Sequence, residues 1–380
     1  MKILVVNHLY YLPISGINRV VKRVGEELIK RGHEYTVLTL HSGSSIEEAS
    51  ENGIRIIKLP CKSLKSKWFA HLCALRFLLT NVAAFDVINA HNYYSFLSIF
   101  AAWSCKRRGA PFIITPHYHG TRGTKKGLYP LLYDIFSRLG QLSLRWAKTI
   151  ICDSQHEKTL IIKAIGDCDE RCAVVPPGVD AVLATGAPHR SHNPSSILCV
   201  TNLFESKGVQ YLIEAMQILQ KERRQAVTLN IVGDGQFKPH LEAMVQKYGL
   251  SQRVLFYSNL SRAELNRQYM KADVFGLLSS SEAYGIVVAE ALAMGIPCIV
   301  AKTTALEEFV GERGCFGIDY PPDIRRLALL ISELLDSDIP VGPLSAQKIR
   351  TWNVVAQDYE RVYAKVALSS SRCGEPGGSE

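Results

Sequence analysis

Two rhythms of apolar residues take turns along the chain. Short continuous runs, among them KILVV (2–6), FIIT (112–115), ILCV (197–200) and CIVA (298–301), have the length and composition of strands buried in a parallel sheet. Between them lie longer segments spaced for helices. After the loop PISG (13–16), for example, Ile17, Val20, Val21, Val24 and Leu28 repeat at helical intervals. The alternation predicts an α/β protein with doubly wound sheets, whose ligands bind at the carboxyl ends of the strands.

The rhythm breaks at AVLATGAPHRSHNPS (181–195), where Pro, Gly, Ser and His remove all periodicity. A second series of strands and helices opens after it. The expected organisation is a first Rossmann-like domain at 1–180, a linker at 181–195 and a second domain at 196–350, the two facing each other across a cleft. TWNVVAQDYERVYAKV (351–366) reads as a further helix, and the small, polar residues 367–380 as a disordered tail.

The second half contains SSSEAYGIVVAEALAMGIPCIVA (279–301), in which Glu282 and Glu290 stand eight positions apart. The preceding ADVFGLLS reads as a strand and the serines as loop, so Glu282 sits in a turn. From Gly285 onward, Ile286, Val287, Ala289, Leu292 and Ala293 fit a helix buried on most sides, closed by Gly295 and Pro297. Backbone N–H groups near Tyr284, Gly285 and Ile286 then point at a ligand, and the helix dipole favours an anion there. Carboxylates beside such a helix end suit a ligand that carries both phosphate and hydroxyls, as a nucleotide sugar does. A structural alternative has Glu282 capping the helix and Glu290 as a solvated surface acid.

This segment resembles the E-x7-E motif of the family 4 glycosyltransferases, retaining enzymes with two Rossmann-like domains in the GT-B arrangement. Met1 to Thr39 is similar to the family's opening strand, glycine loop and helix, and SKGVQYLIEA (206–215) to its basic loop. LNIVGDG (229–235) resembles a nucleotide-side strand end, and VVPPGVD (174–180) the interdomain signature. The resemblance implies transfer of a hexosyl unit from a nucleoside diphosphate sugar to a hydroxyl acceptor, in the synthesis of glycan, polysaccharide or glycolipid. It also implies that the helix at 351–366 crosses back onto the N-terminal domain.

Roles follow from the same resemblance. Glu282 would hold sugar hydroxyls, Glu290 the ribose, and Lys207 with Gly16 the diphosphate, with Ser15, Gly233, Tyr284, Gly285 and Ile286 alongside. A lysine point charge would neutralise the leaving diphosphate. His117 matches the family's residue at the sugar end, His119 is the alternative two positions on, and His91 would lie near the acceptor. Family members usually carry an arginine where this chain has Asn202, and two glycines where it has Ser15 and Gly16. Either the phosphate clamp is weaker for it, or another base such as Arg122 or Lys302 substitutes.

Length and composition agree with this picture, since 380 residues with 47% hydrophobic content suffice for two cores. The ten cysteines show no paired zinc spacing, and DCD (167–169) and DSD (336–338) follow no strand and read as solvated loops. No metal or other cofactor is expected. The chain opens directly on a strand and has no apolar run long enough to span a bilayer, so a cytoplasmic protein is expected. Charge changes the picture more. Residues 1–185 hold 24 Lys+Arg against 14 Asp+Glu, while the remainder holds 20 against 21. No nucleic-acid-binding signature accompanies the excess. It suggests instead an acidic or lipid-linked acceptor, or peripheral contact with an anionic membrane, with Lys62, Lys65 and Lys67 leading into an apolar helical stripe. Two other readings stay open: a nucleotide-sugar epimerase of the same fold, and a non-catalytic nucleotide-sugar-binding module, for which Asn202 is the best argument.

Overall fold

The computed structural model describes residues 1–8, 10, 16–61, 72–119, 138–180, 194–222, 226–337, 341 and 350–371. Ser15, Lys62, Lys65, Lys67, Arg122 and most of the expected linker lie outside them. The chain forms two compact units: Met1–Pro177 together with Trp352–Glu380, and Gly178–Thr351.

In the first unit the strands are β1 (Lys2–Val6), β2 (Glu34–His41), β3 (Glu47–Glu51), β4 (Ile54–Pro60), β5 (Val87–His91), β6 (Phe112–Thr115), β7 (Thr149–Cys152) and β8 (Cys172–Val174), all but β3 built on apolar runs. They form one sheet in the order β3-β4-β2-β1-β5-β6-β7-β8, parallel except where β3 pairs antiparallel with β4. β3 reads EEASE and is exposed throughout, which suits a charged strand blunting a sheet edge. The helix Gly16–Lys30 buries Val20, Val21, Val24 and Leu28 as the spacing predicts. Each such side chain removed from water contributes about 1.5–3 kcal/mol.

The helix near the C-terminus runs Trp352–Ser371 and packs against the helix Gly16–Lys30, so it belongs to the first unit. Its Glu360 receives His33 at 2.8 Å and Arg31 at 3.3 Å. Tyr363 is fully buried, and Asn89 at the centre of β5 donates to its hydroxyl at 2.8 Å. The helix passes residue 366 and takes in the first residues of the expected tail, because Ala367 and Leu368 are good helix formers and nothing stops it before Ser371.

The second unit contains β9 (Ser195–Val200), β10 (Val227–Val232), β11 (Val254–Tyr257), β12 (Val274–Leu277), β13 (Cys298–Ala301) and β14 (Cys315–Ile318). All pair in parallel in the order β11-β10-β9-β12-β13-β14. β9 already begins at Ser195, inside the stretch expected as linker. Strand order reverses at β9, between β10 and β12, and at such a switch point the loops leaving the carboxyl ends part and open a crevice. The two segments that bound this unit run side by side, Val179 N–H donating to Arg350 O at 2.8 Å.

Candidate active site

Loops at the carboxyl ends of β9, β10 and β12 approach one another too closely for side chains. Gly233, just past β10, has φ 149°, and a Cβ there would collide with the carbonyl of Thr201. Gly208, left-handed at φ 71°, lies in the same way against the carbonyl of Leu278. These two glycines let the 201–208 loop lie flat against the strand ends, and the short turn Glu205–Lys207 then delivers Lys207 to the loop after β12. Lys207 Nζ donates to Ser281 O at 2.8 Å and pairs with Glu282 Oε1 at 2.5 Å. Asn202 is exposed at the start of the same loop.

The helix predicted after Glu282 is Ile286–Ala293, with Gly285 as a left-handed N-cap and Gly295 at φ 77° beyond its end. No side chain caps it, so Glu282 serves Lys207 instead of the helix. The first N–H groups of any helix lack acceptors within it, which leaves this end suited to an anion. Tyr284 is buried there, packing on Phe309.

Glu290 is no surface acid: its side chain has no exposed area. One carboxylate oxygen pairs with Arg262, and the other accepts from the Tyr269 hydroxyl at 3.1 Å. Arg262 also reaches Asp180 at 3.3 Å. A carboxylate in this setting must be paired, and the guanidinium holds it in one orientation. Sequence reasoning missed Arg262, since nothing in the Ser261–Glu264 capping box that carries it announces a partner at position 290. Of the proposed substitutes for the arginine absent at 202, Lys302 is already paired with Asp319 at 2.7 Å. Lys238, also missed, comes within 3.4 Å of Ser258, whose hydroxyl donates to Gly233 O.

In the first unit, the ends of β5, β6 and β7 gather a chain of buried polar groups. His117, with φ 50°, sits in the left-handed region, where a non-glycine residue is strained. Its Nδ1 meets Asp153 Oδ2 at 2.6 Å and its Nε2 meets His91 Nδ1 at 3.0 Å. Burial, reinforced by His117, holds His91 well below the usual histidine range. A neutral His91 donating to His117, whose Nδ1–H donates to Asp153, satisfies the series. The fully buried Glu157 accepts from Asp153 N–H at 2.5 Å and from Tyr118 N–H, tying the two loops together. Burial, then the nearby Asp153, raises the Glu157 carboxyl well above its ordinary value. His119 is exposed, two residues beyond. Sequence reasoning missed Asp153, although a polar residue directly after the strand TIIC gave the same signal that singled out His91 and His117.

Gly16 is the first residue of its helix and exposed. Asp169 lies on the short turn Asp169–Arg171 and pairs with Lys158, whereas Asp336 closes the helix Ile324–Asp336. No cluster suited to a metal ion occurs among the described residues. Among them, too, no helix is long and apolar enough to cross a membrane.

Known proteins fit this architecture. A family model described as glycosyltransferase family 4 matches residues 14–183, and one described as glycosyl transferases group 1 matches residues 187–349. The MMP α-(1→4)-mannosyltransferase of Mycolicibacterium hassiacum is 24% identical over 98% of this chain and 100% of its own. Sucrose-phosphate synthase from Thermosynechococcus elongatus superposes with a TM-score of 0.73 at 20% identity, covering 98% of each chain. The Anabaena HepE protein, solved with UDP and glucose, gives 0.68 at 19% identity, again over 98% of each chain. With the two family models spanning most of the sequence on a pair of parallel α/β units, the chain belongs to the family 4 glycosyltransferases of the GT-B fold.

Proposed function

We propose that this glycosyltransferase moves a hexosyl unit from a nucleoside diphosphate sugar to a hydroxyl acceptor, with retention at the anomeric carbon and without a metal ion. The observation that carries the reading is the pairing of Lys207 with Glu282 beside the uncapped N-terminus of the helix Ile286–Ala293. A diphosphate has a cation and a helix end to meet, and a sugar has a carboxylate for its hydroxyls. The Anabaena HepE structures with UDP and with UDP-glucose support the ligand class. In this reading Lys207 and the N–H groups at 284–286 stabilise the departing diphosphate, which is the main charge developed as the glycosidic bond to phosphate breaks. The proposed diphosphate role extends to Gly16, to Gly233 and to the loop at Asn202. Glu290, oriented by Arg262, accepts from the ribose hydroxyls.

His117 acts on the transferred sugar, exchanging its contact with His91 for a sugar hydroxyl while Asp153 keeps its Nδ1 protonated. The donor-sugar role falls to His117 and not to the exposed His119. The acceptor role falls to His91. With no side-chain nucleophile assigned, the leaving phosphate itself takes the acceptor proton. The positive excess of the N-terminal half favours an acidic or lipid-linked acceptor met at an anionic membrane surface.

Three measurements test this. Calorimetry with UDP, GDP and ADP and their hexose conjugates should find one nucleotide series that binds; none binding would remove the donor reading. Proton NMR of the product should show the donor's anomeric configuration, in reactions run with EDTA. An inverted product, or activity lost with EDTA and restored by a divalent ion, would overturn the corresponding part. Co-sedimentation with vesicles should rise with anionic lipid and fall with salt, and no sedimentation at low salt would leave a soluble acceptor.

A further inference from the structure

Outside the candidate site, the first unit gathers three thiols at one edge of its sheet. Cys152 ends β7, Cys172 opens β8, and the short turn Asp169–Arg171, which follows the helix Gln155–Ile165, separates Cys168 from Cys172. β7 and β8 pair in parallel with Ile150 opposite Cys172, which brings the thiols together. The sulfurs of Cys168 and Cys172 lie 3.9 Å apart. Their settings differ: Cys152 and Cys168 are buried, while Cys172 is half-buried. A hydrogen bond from Cys152 holds the Cys172 thiol down to about 7 against its burial, with help from Cys168, Lys158 and Arg171. Burial first of all pushes Cys168 up to about 11. One sulfur is therefore partly thiolate at neutral pH, while its neighbour is held towards the protonated form.

We propose that Cys172 and Cys168 form a peroxide-reactive pair, Cys172 as the attacking sulfur and Cys168 as the resolving one. The thiolate of Cys172 attacks one oxygen of hydrogen peroxide, the O–O bond breaks, and hydroxide leaves to take a proton as water. The sulfur is oxidised to a sulfenic acid and the peroxide reduced. Cys168 sulfur then attacks the Cys172 sulfur, its own proton and the departing hydroxide leave as a second water, and an S–S bond forms. Two thiols and one peroxide thus give one disulfide and two waters. The sulfurs must close from 3.9 Å to about 2.05 Å, across a turn of three residues. Cys152 directly precedes Asp153, the partner of His117, so a change at this sulfur cluster reaches the candidate site through one peptide unit.

The pairing stands whether or not the donor reading does, because its test needs no substrate. Full-length protein is treated with stoichiometric hydrogen peroxide at pH 7, remaining thiols are alkylated, and peptides are mapped by mass spectrometry. A Cys168–Cys172 disulfide, reversed by dithiothreitol and formed before the exposed Cys73 is oxidised, is the expected result. In Cys168→Ser the reaction should stop at a sulfenic acid on Cys172 that dimedone traps, and in Cys172→Ser no disulfide should form at Cys168. Should a variant fail to fold, the wild-type disulfide map decides for the pair, and the rate of iodoacetamide alkylation of wild-type Cys172 against pH should show a midpoint near 7. Oxidation of Cys73 ahead of Cys172, or an alkylation rate that begins to rise only above pH 8, would overturn the proposal.

Discussion

At the residue scale, Lys207 is neutralised by its ion pair with Glu282. A bare anion must break that ion pair and leave the carboxylate facing it, whereas a diphosphate sugar offers a phosphate to the lysine and a hydroxyl to the carboxylate. Inorganic phosphate should therefore be a poor competitor of the donor, and Glu282→Gln should improve its competition in an inhibition assay while reducing turnover. Equal inhibition of both proteins would count against the paired lysine as the phosphate site. Lys207→Ala should weaken binding of the nucleoside diphosphate sugar by about 1.5–3 kcal/mol, with the loss shrinking as salt rises. Glu290 presents the reverse case. Glu290→Ala leaves Arg262 with Asp180 alone, and because Arg262 is about a third exposed the stability loss should be about 1–2 kcal/mol, below the cost of orphaning a fully buried charge. Thermal denaturation reads this directly, and calorimetry with the bound nucleotide should show a further loss of affinity.

At the element scale, the close passage of the 201–208 loop over β10 and β12 depends on two positions without Cβ atoms. Gly233→Ala forces contact with a backbone carbonyl at a φ that side chains rarely adopt, so about 1–3 kcal/mol of stability should be lost. Nucleotide binding should fall with it, because the loop carries Lys207; an alanine variant as stable and as tight as wild type would refute this account. Much of this architecture was legible beforehand. FIIT, ILCV and CIVA announced β6, β9 and β13 by their unbroken apolar runs, and the helix from Ile286 announced both its ends through Gly285 and Gly295. What could not be read were partnerships between distant segments. Glu290 with Arg262, and His117 with Asp153, join residues whose local sequence is satisfied in many ways, and only the packing of separate loops brings them together. The extent of the last helix was underestimated for the opposite reason: its polar serines fit a tail as well as a helix end, and local pattern alone favoured the tail.

At the scale of the whole molecule, the first unit is assembled from two segments separated by the entire second unit. Glu360 is one of the groups that closes it, and its carboxyl is held below the usual value of 4.5, chiefly by the hydrogen bond from His33. A depressed carboxylate adds stability above its unfolded value and loses it as pH falls through the folded one. Glu360→Gln should thus melt below wild type at pH 7, and the two melting temperatures should converge as pH drops below about 4.5. A constant gap across that range would show that the charge of Glu360 is not what closes the unit. The interrupted assembly has a further consequence for the order of events on the ribosome. Gly178–Thr351 is continuous and can complete its sheet as soon as it emerges, but Asn89 on β5 must wait for its bond to Tyr363 until all of the second unit has been made. The half of the protein that is translated first is therefore the half that finishes folding last.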